Sequence, residues 1–407
     1  MCLQSVRYVA GSGDGAIGCD FLDLVPVTIV EGMCDVAGEI DRCRPLMERL
    51  GAPVTARGTW LTAALHCLPS GRPAAVVSRS PTGEPDGATF LTVTRSRGYA
   101  EVTLLGAHVS DHARLLATDH DVARAIARGV RTVLDDVRGP WRLYVEQVPY
   151  RDPVLEQLAG GLAHSELTEG DVCPVTRFGA DRALAAHLSK NGRGTAKQGR
   201  NRLTREDSEW RIKRTRGPRT IAALLPTAAA IHRSRDHAAG RRSDFDDPRR
   251  VDFFTRVTRE LAEEGCVELA TLHVGGAVAA YFVVLLDGGV WRFWDGRISA
   301  AHGHLRAGRV LDVALLTAAL EDPSVSAVDW MRGDLEHKRQ SANDVVRTQK
   351  LTAWSSAALR QAERSARWGR ERFRALARAP LAERVRNRGP GVEPAPEVPA
   401  GATRGTT

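Results

Sequence analysis

The chain has 407 residues, 43% of them hydrophobic and 26% charged; at roughly 150 residues per domain it holds two to three domains. Lys and Arg outnumber Asp and Glu by 57 to 49, a net charge of +8, and no apolar run approaches the ~20 residues of a membrane-spanning helix. A single small module, a chain disordered throughout and a helical membrane protein are all excluded.

Met1–Gly15 has no basic stretch followed by an apolar one, so export is not expected and a cytoplasmic location is. The seven cysteines, at 2, 19, 34, 43, 67, 173 and 266, are an odd number without a C-x-x-C pair or zinc spacing. Free thiols are expected, with no disulfide framework and no metal.

Residues 1–30, with the Gly-rich Gly11–Gly15, read as a flexible leader. Apolar periodicity then predicts helices over Glu31–Leu50 and Thr59–Leu68. Strands follow at Pro73–Ser78, Thr89–Arg95 and Ala100–Leu105, separated by Gly-containing turns. A helix at His120–Asp135, a strand at Trp141–Glu146, a short helix near Pro153–Leu158 and a strand at Asp171–Thr176 complete the first half. Arg182–Arg205 has no acidic residue in twenty-four positions. Lys190, Arg193, Lys197 and Arg200 recur at spacings of three and four, with Arg202 beside them, as candidate contacts to a polyanion. Gly192, Gly194 and Gly199 each cost about 1 kcal/mol in a helix, so this stretch reads either as a flexible segment that orders on phosphate or as a linker helix.

The second half repeats the order. A strand at Trp210–Arg214 and helices at Thr220–Ser234 and Arg249–Glu264 come first. Three strands follow, Cys266–Val274, Ala277–Leu286 and Val290–Trp294, joined by Gly275-Gly276 and Asp287-Gly288-Gly289, pairs that signal hairpins. After them come a helix at Gly308–Leu320, a strand at Ala327–Met331, a short helix from Leu335 and a strand at Thr348–Trp354. Ala357–Ala379, with seven Arg and two Glu, predicts a basic helix, and 380–407 a disordered tail. Two copies of one element order imply a duplicated α+β fold.

That order, together with Leu188–Arg205, Trp291–Gly296, Arg306–Leu320 and the run from Trp330 through Arg332-Gly333-Asp334 to Lys338, resembles the GNAT superfamily of acyltransferases. Within it the chain is similar to the double-domain, cellulose-biosynthesis-type (CelD-like) branch and to the Fem-type enzymes that use aminoacyl-tRNA. The resemblance implies a tandem GNAT fold of mixed sheets flanked by helices. Its expected division is an acceptor-side domain at 31–180, a basic connection at 181–209, and a donor and catalytic domain at 210–356, followed by the basic helix 357–379 and the tail 380–407. It also implies a wedge between splayed strands that polarises an acyl carbonyl, and a helix start near Arg306, Gly308 and Arg309 that receives donor phosphate. Leu305 and Val310 depart from the usual glycine pattern of the loop in coenzyme A users. Arg332 and Lys338 join the expected donor set.

Asp295, ending the last meander strand, is the first candidate for general base. Asp334 and Glu336 are candidates to position the acceptor amine. His302 and His304 precede the donor turn, and Trp291 and Trp294 are read as core. The chain lacks a P-loop, a dinucleotide fingerprint, H-E-x-x-H and G-x-S-x-G, which argues against the enzyme classes they serve. The function expected is therefore transfer of an acyl or aminoacyl group to an amine of a small molecule or envelope precursor. No cofactor is expected, and the co-substrate is aminoacyl-tRNA or acyl-CoA. The alternative of another class is a non-catalytic RNA-binding or scaffold protein on the same fold.

Overall fold

Gly275-Gly276 and Gly288-Gly289 all take positive φ, the backbone that tight hairpins demand and that glycine adopts without strain. The meander they build organises the second of two sheets. The computed structural model describes residues 6–9, 25–68, 71–96, 98–333, 335–369 and 372. Its strands in chain order are β1 Val6–Val9, β2 Val27–Glu31, β3 Arg72–Arg79, β4 Pro85–Arg95, β5 Ala100–Leu104, β6 Leu116–Ala117, β7 Trp141–Pro149, β8 Ser165–Glu169 and β9 Cys173–Arg177. The second half adds β10 Arg211–Thr215, β11 Val267–Val274, β12 Ala277–Asp287, β13 Val290–Ile298, β14 Ala327–Asp329, β15 Asp344–Val346 and β16 Thr348–Trp354.

The first sheet runs β1-β2-β3-β4-β5-β7-β16-β8, with β6 paired to β4; the second runs β10-β11-β12-β13-β14-β9-β15. Each is antiparallel except where β5 meets β7 and β13 meets β14 in parallel. The tandem α+β fold stands, two mixed sheets flanked by helices.

Two expected boundaries change. β9, assigned to the first domain by its position before residue 180, inserts between β14 and β15 of the second sheet, with Thr176 opposite Val328 and Pro174 opposite Val345. β16 returns the exchange, lying between β7 and β8 with Leu351 opposite Val145 and Leu167. Each module thus completes its sheet with the other's last strand, and no cut at 180–210 separates two independent cores. The leader also changes: β1 and β2 pair antiparallel, and β2 pairs with β3, because Val27-Thr-Ile-Val30 is a β-branched run that buries Val27, Ile29 and Val30. Gly11–Gly15 lies outside the described residues.

The modules share apolar core as well as strands. Trp60, on the helix Gly58–Cys67, meets Phe253, on the helix Pro248–Glu263, with ring centroids 5.3 Å apart and nearly perpendicular. Residues 1–355 form one compact unit and 356–407 a second. In the second, 357–369 is helical, and 380–407 lies outside the described residues. Among the described residues no helix is long and apolar enough to cross a membrane. Cys34, Cys43, Cys67, Cys173 and Cys266 are free thiols.

Candidate functional site

β13 and β14 pair over only three positions, from Val290–Ala327 to Arg292–Asp329. β13 continues to Ile298 against β12, whereas the chain after Asp329 turns away and follows β9, Trp330 donating its N–H to Pro174 O at 2.9 Å. Met331 makes that turn in a left-handed conformation, φ 59°, with its N–H bonded to Asp329 Oδ1 at 2.8 Å. Beyond Arg292 the edge of β13 facing away from β12 has no strand partner among the described residues. The exchanged strand β9 is the physical cause: it holds the end of β14 away from β13 and opens the wedge.

The β12–β13 register slips between Val283 and Val284, leaving Trp294 as the extra residue. Such a bulge interrupts the alternation of side chains, and Trp294 and Asp295, though consecutive, both line one cavity. That cavity holds about 260 Å³. Its floor is Phe253, Phe254 and Trp294, and its charged wall includes Asp111, Arg250, Arg297 and Arg332. Trp291 takes the opposite face of the sheet, where the Arg214 guanidinium lies 5.0 Å from its ring. The expectation that both tryptophans are core holds for Trp291, whereas Trp294 is also cavity wall.

Asp295 is fixed from three sides. The Tyr281 hydroxyl donates to its Oδ2 at 2.5 Å, His232 Nδ1 stands 3.3 Å from Oδ1, and Arg297 Nη1 3.4 Å from Oδ1. Burial pushes the carboxyl pKa up, but the His232 hydrogen bond and charge, Arg297 and Tyr281 outweigh it and hold it below the ordinary value. Asp295 is therefore ionised at neutral pH. Burial and the Asp295 charge keep the Tyr281 phenol protonated, far above its usual range.

His232 Nε2 in turn meets Asp236 at 3.3 Å and an Arg297 donor at 3.1 Å. Asp236 is held by Arg241 at 2.9 Å and by the Ser243 hydroxyl at 3.2 Å. The sequence reading missed His232, Asp236 and Tyr281. A signal existed: on the helix Pro218–Ala238, residues 221, 225, 228, 232 and 236 form one buried stripe, and a His and an Asp on an apolar stripe are unusual enough to mark a site.

The other expected site residues scatter. Glu336 is exposed on a single helical turn and accepts from Gln340 at 3.0 Å, away from the cavity. Asp334 lies outside the described residues. Arg332 lines the cavity but faces three acids, Glu146 at 3.4 Å, Asp111 at 3.6 Å and Asp171 at 3.8 Å. Lys338 donates to the carbonyls of Met331 and Arg332 at 3.2 and 2.7 Å, tying down the chain beyond the wedge, and burial pulls its ammonium below the ordinary range. His304 lends its carbonyl to Arg202 at 2.7 Å, and His302 sits in the same short helical turn.

At the expected donor turn, the helix Ala307–Glu321 begins at Arg306 in a left-handed conformation, φ 58°, with no side-chain cap on its first-turn N–H groups. The glycine there serves packing: a Cβ on Gly308 would lie 2.5 Å from Ile298 Cδ1. Arg309 is not presented at the surface either. Its side chain is 11% exposed, beside Asp312 at 4.0 Å, and lies beneath the helix Lys190–Glu206, where a Cβ on Gly192 would come within 2.6 Å of its Nη2. Burial lifts the Asp312 carboxyl to about 7, with Arg309 and Lys338 opposing.

Lys190–Glu206 is a formed helix, capped by Ser189, so the flexible alternative for this segment falls. Gly192, Ala196, Gly199 and Leu203 make its buried seam, and a Cβ on Gly199 would stand 2.7 Å from Val310. The glycines that lower helix propensity are what let the two helices touch. Lys190, Lys197, Arg200 and Arg202 are exposed on the other side, whereas Arg193 turns back to the carbonyls of Ala185 and Leu188.

Where the wedge begins, His112, Cys173 and Asp329 bring three ligand-type atoms within 4.8 Å of one another. Asp329 is already engaged there, by His112 at 2.7 Å and Arg292 at 2.5 Å on Oδ2 and by the Met331 N–H on Oδ1. The guanidinium supplies the positive charge that a bound cation would.

Residues 190–339 match the acetyltransferase (GNAT) domain family. Among solved structures, FemX aligns over 81% of this chain and 98% of its own at 11% identity, with a TM-score of 0.54. The C-terminal domain of a candidate lysylphosphatidylglycerol synthetase from Agrobacterium fabrum aligns over 81% and 95% at 11% identity, with a TM-score of 0.50. At such identities the likeness is one of fold. No curated protein matches in sequence.

Proposed function

We propose, from the premise that this chain carries an acetyltransferase (GNAT) domain within a double-domain, Fem-like acyltransferase fold, that it transfers an aminoacyl group from aminoacyl-tRNA to the amine of a small acceptor. The observation that carries the acyl-transfer reading is the parting of β13 from β14 after Arg292 and Asp329, directly beside an ionised, immobilised Asp295. The acyl carbonyl lies in the wedge, where backbone donors along β13 stabilise the oxygen as it becomes an oxyanion. The acceptor amine enters from the cavity and attacks the carbonyl carbon. Asp295, oriented by His232 and Tyr281, receives the proton that the amine loses; collapse of the tetrahedral intermediate breaks the ester C–O bond, and the expelled ribose oxygen takes up that proton and leaves as the hydroxyl of the tRNA.

The donor assignment is supported by the exposed cations Lys190, Lys197, Arg200 and Arg202 of the helix Lys190–Glu206, whose buried seam packs against the uncapped start of Ala307–Glu321. The same helix start and the half-buried Arg306 favour a second reading, an acyl-CoA donor whose pyrophosphate binds there. Its incomplete glycine pattern and the burial of Arg309 weigh against it.

Turnover of a labelled donor with and without ribonuclease tests the choice. Loss of transfer on ribonuclease treatment supports the tRNA donor, whereas persistence with added acyl-CoA supports the thioester. If neither donor binds, the enzyme reading fails; tight binding of tRNA regardless of charging, with no release of label, supports the binding-protein alternative.

A further inference from the structure

The charged groups of the cavity wall largely neutralise one another. Arg332 is matched by Asp111 and Glu146, Arg297 by Asp295, and His232 stands between Asp295 and Asp236. Among the described residues, two wall groups have no opposite charge within 4.0 Å: Arg250 and the exposed Asp244 at the mouth. Arg250 is oriented nonetheless. It leaves the helix Pro248–Glu263 and donates one N–H to the carbonyl of His108, in the other module, at 3.1 Å. That single bond leaves most of a five-donor guanidinium available to a ligand, where this cavity adjoins a second one lined by Glu101 and Asp247.

Beneath it Trp294 presents a half-buried ring, backed by the buried Phe254 and Phe245. Phe254 and Trp294 lie 5.6 Å apart, and Phe245 and Phe254 5.0 Å. At about 260 Å³ the cavity is at or just below the lower end of small-ligand sites, roughly 300–1,000 Å³. Asp295, ionised, the Trp294 ring and the Arg250 guanidinium line one cavity and describe three contacts for one molecule. Charge-assisted bidentate pairing is the contact a free guanidinium makes best.

We propose that the acceptor is an amine bearing its own carboxylate on a compact apolar or aromatic body, in the class of a free α-amino acid. Its amine lies at Asp295, its body on Trp294, and its carboxylate on Arg250. The inference rests on the acceptor placement proposed above.

Calorimetric titration of the full chain, without donor, tests it with L-phenylalanine, L-leucine, L-phenylalaninamide and phenethylamine. The two amino acids are expected to bind at least about tenfold more tightly than the amide and the amine. Arg250→Gln removes that preference, weakening L-phenylalanine about tenfold and leaving phenethylamine unchanged; Arg250→Lys restores part of it. Equal affinity for phenethylamine and phenylalanine, no binding by any of the four, or an Arg250→Gln variant that binds phenylalanine normally would each overturn the proposal. A labelled-donor assay separates the two ideas. Label passing to phenethylamine but not to amino acids defeats the carboxylate inference and leaves acyl transfer standing, whereas amino acids that bind but never receive label defeat the acyl-transfer reading.

Discussion

The two modules share an element order and differ most where a helix follows the meander. In the first, the helix His120–Asp135 is closed by Asp119, whose Oδ1 accepts from the N–H groups of Asp121 and Val122, both at 2.9 Å. Those bonds, the Val122 one foremost, hold the Asp119 carboxyl below its ordinary range. In the second, Ala307–Glu321 begins at Arg306 with no side-chain cap. One helix start is filled by its own anion and the other is left for a foreign one.

The contrast continues inward. The third and sixth residues of the first helix are the buried Val122 and Ala125, and those of the second are Arg309 and Asp312. The strands differ too. In the first sheet β6 takes over pairing with β4 at Gly87 and Ala88 after β5 ends, whereas in the second β13 runs on with its outer edge free. The first module spends these positions on packing, and the second holds polar groups that packing alone would not select.

Exchanging the helix starts should break the comparison most visibly. Arg306→Asp places an anion where the donor phosphate is assigned, and is expected to weaken the donor's KM on the order of a hundredfold with kcat nearly unchanged. A loss confined to kcat would contradict the placement.

Next in size is the buried acid. Asp312 has a folded pKa of about 7 against an unfolded value near 3.8, so its contribution to stability is fully present below about pH 4 and is lost as pH rises through 7. Asp312→Asn should be more stable than the parent at pH 8 and flatten the fall in stability between pH 4 and 7. Thermal unfolding across that range reads both effects, and an unchanged pH slope would show that Asp312 does not titrate as described.

Asp295→Asn should lower turnover at least about tenfold, ~1.4 kcal/mol in barrier, and should also cost stability, because it leaves His232 and Arg297 facing a neutral amide. Because Asp295 is ionised throughout the neutral range, the rise of kcat/KM with pH in the parent should follow the acceptor amine, shifting when amines of different pKa are compared. Unchanged kinetics in Asp295→Asn would leave it a structural residue of β13. Smallest of all, Asp119→Ala in the first module should cost about 1 kcal/mol of stability and leave transfer untouched; an effect on donor binding would erase the distinction between the modules.

Much of this architecture was legible in the chain. Gly275-Gly276 and Asp287-Gly288-Gly289 fixed the meander, and the apolar stripe at Phe253, Phe254, Val257 and Leu261 fixed the helix over it. The exchange of β9 and β16 was not legible, because a strand's own alternation says that it is half-buried and nothing about which sheet receives it. The helix at 190–206 was legible only as one of two readings, for the opposite reason: propensity counts Gly192 and Gly199 against a helix, and only the approach of Val310 and Arg309 shows what they admit. Asp295 was legible as an acid of the last meander strand, although that strand runs on to Ile298 instead of ending before it. The bulge at Trp294 that turns it into the cavity, and the His232 and Tyr281 that hold it, depend on a register no local pattern records.

The most direct measurement is a crystal structure with a non-transferable donor analogue, an amide-linked aminoacyl-adenosine or an acyl-CoA thioether. The account predicts its acyl group between β13 and β14 beyond Arg292 and Asp329, with the carbonyl oxygen within hydrogen-bond distance of the β13 backbone. An analogue bound between β5 and β7 of the first module, or β13 and β14 found paired through residue 298, would contradict it.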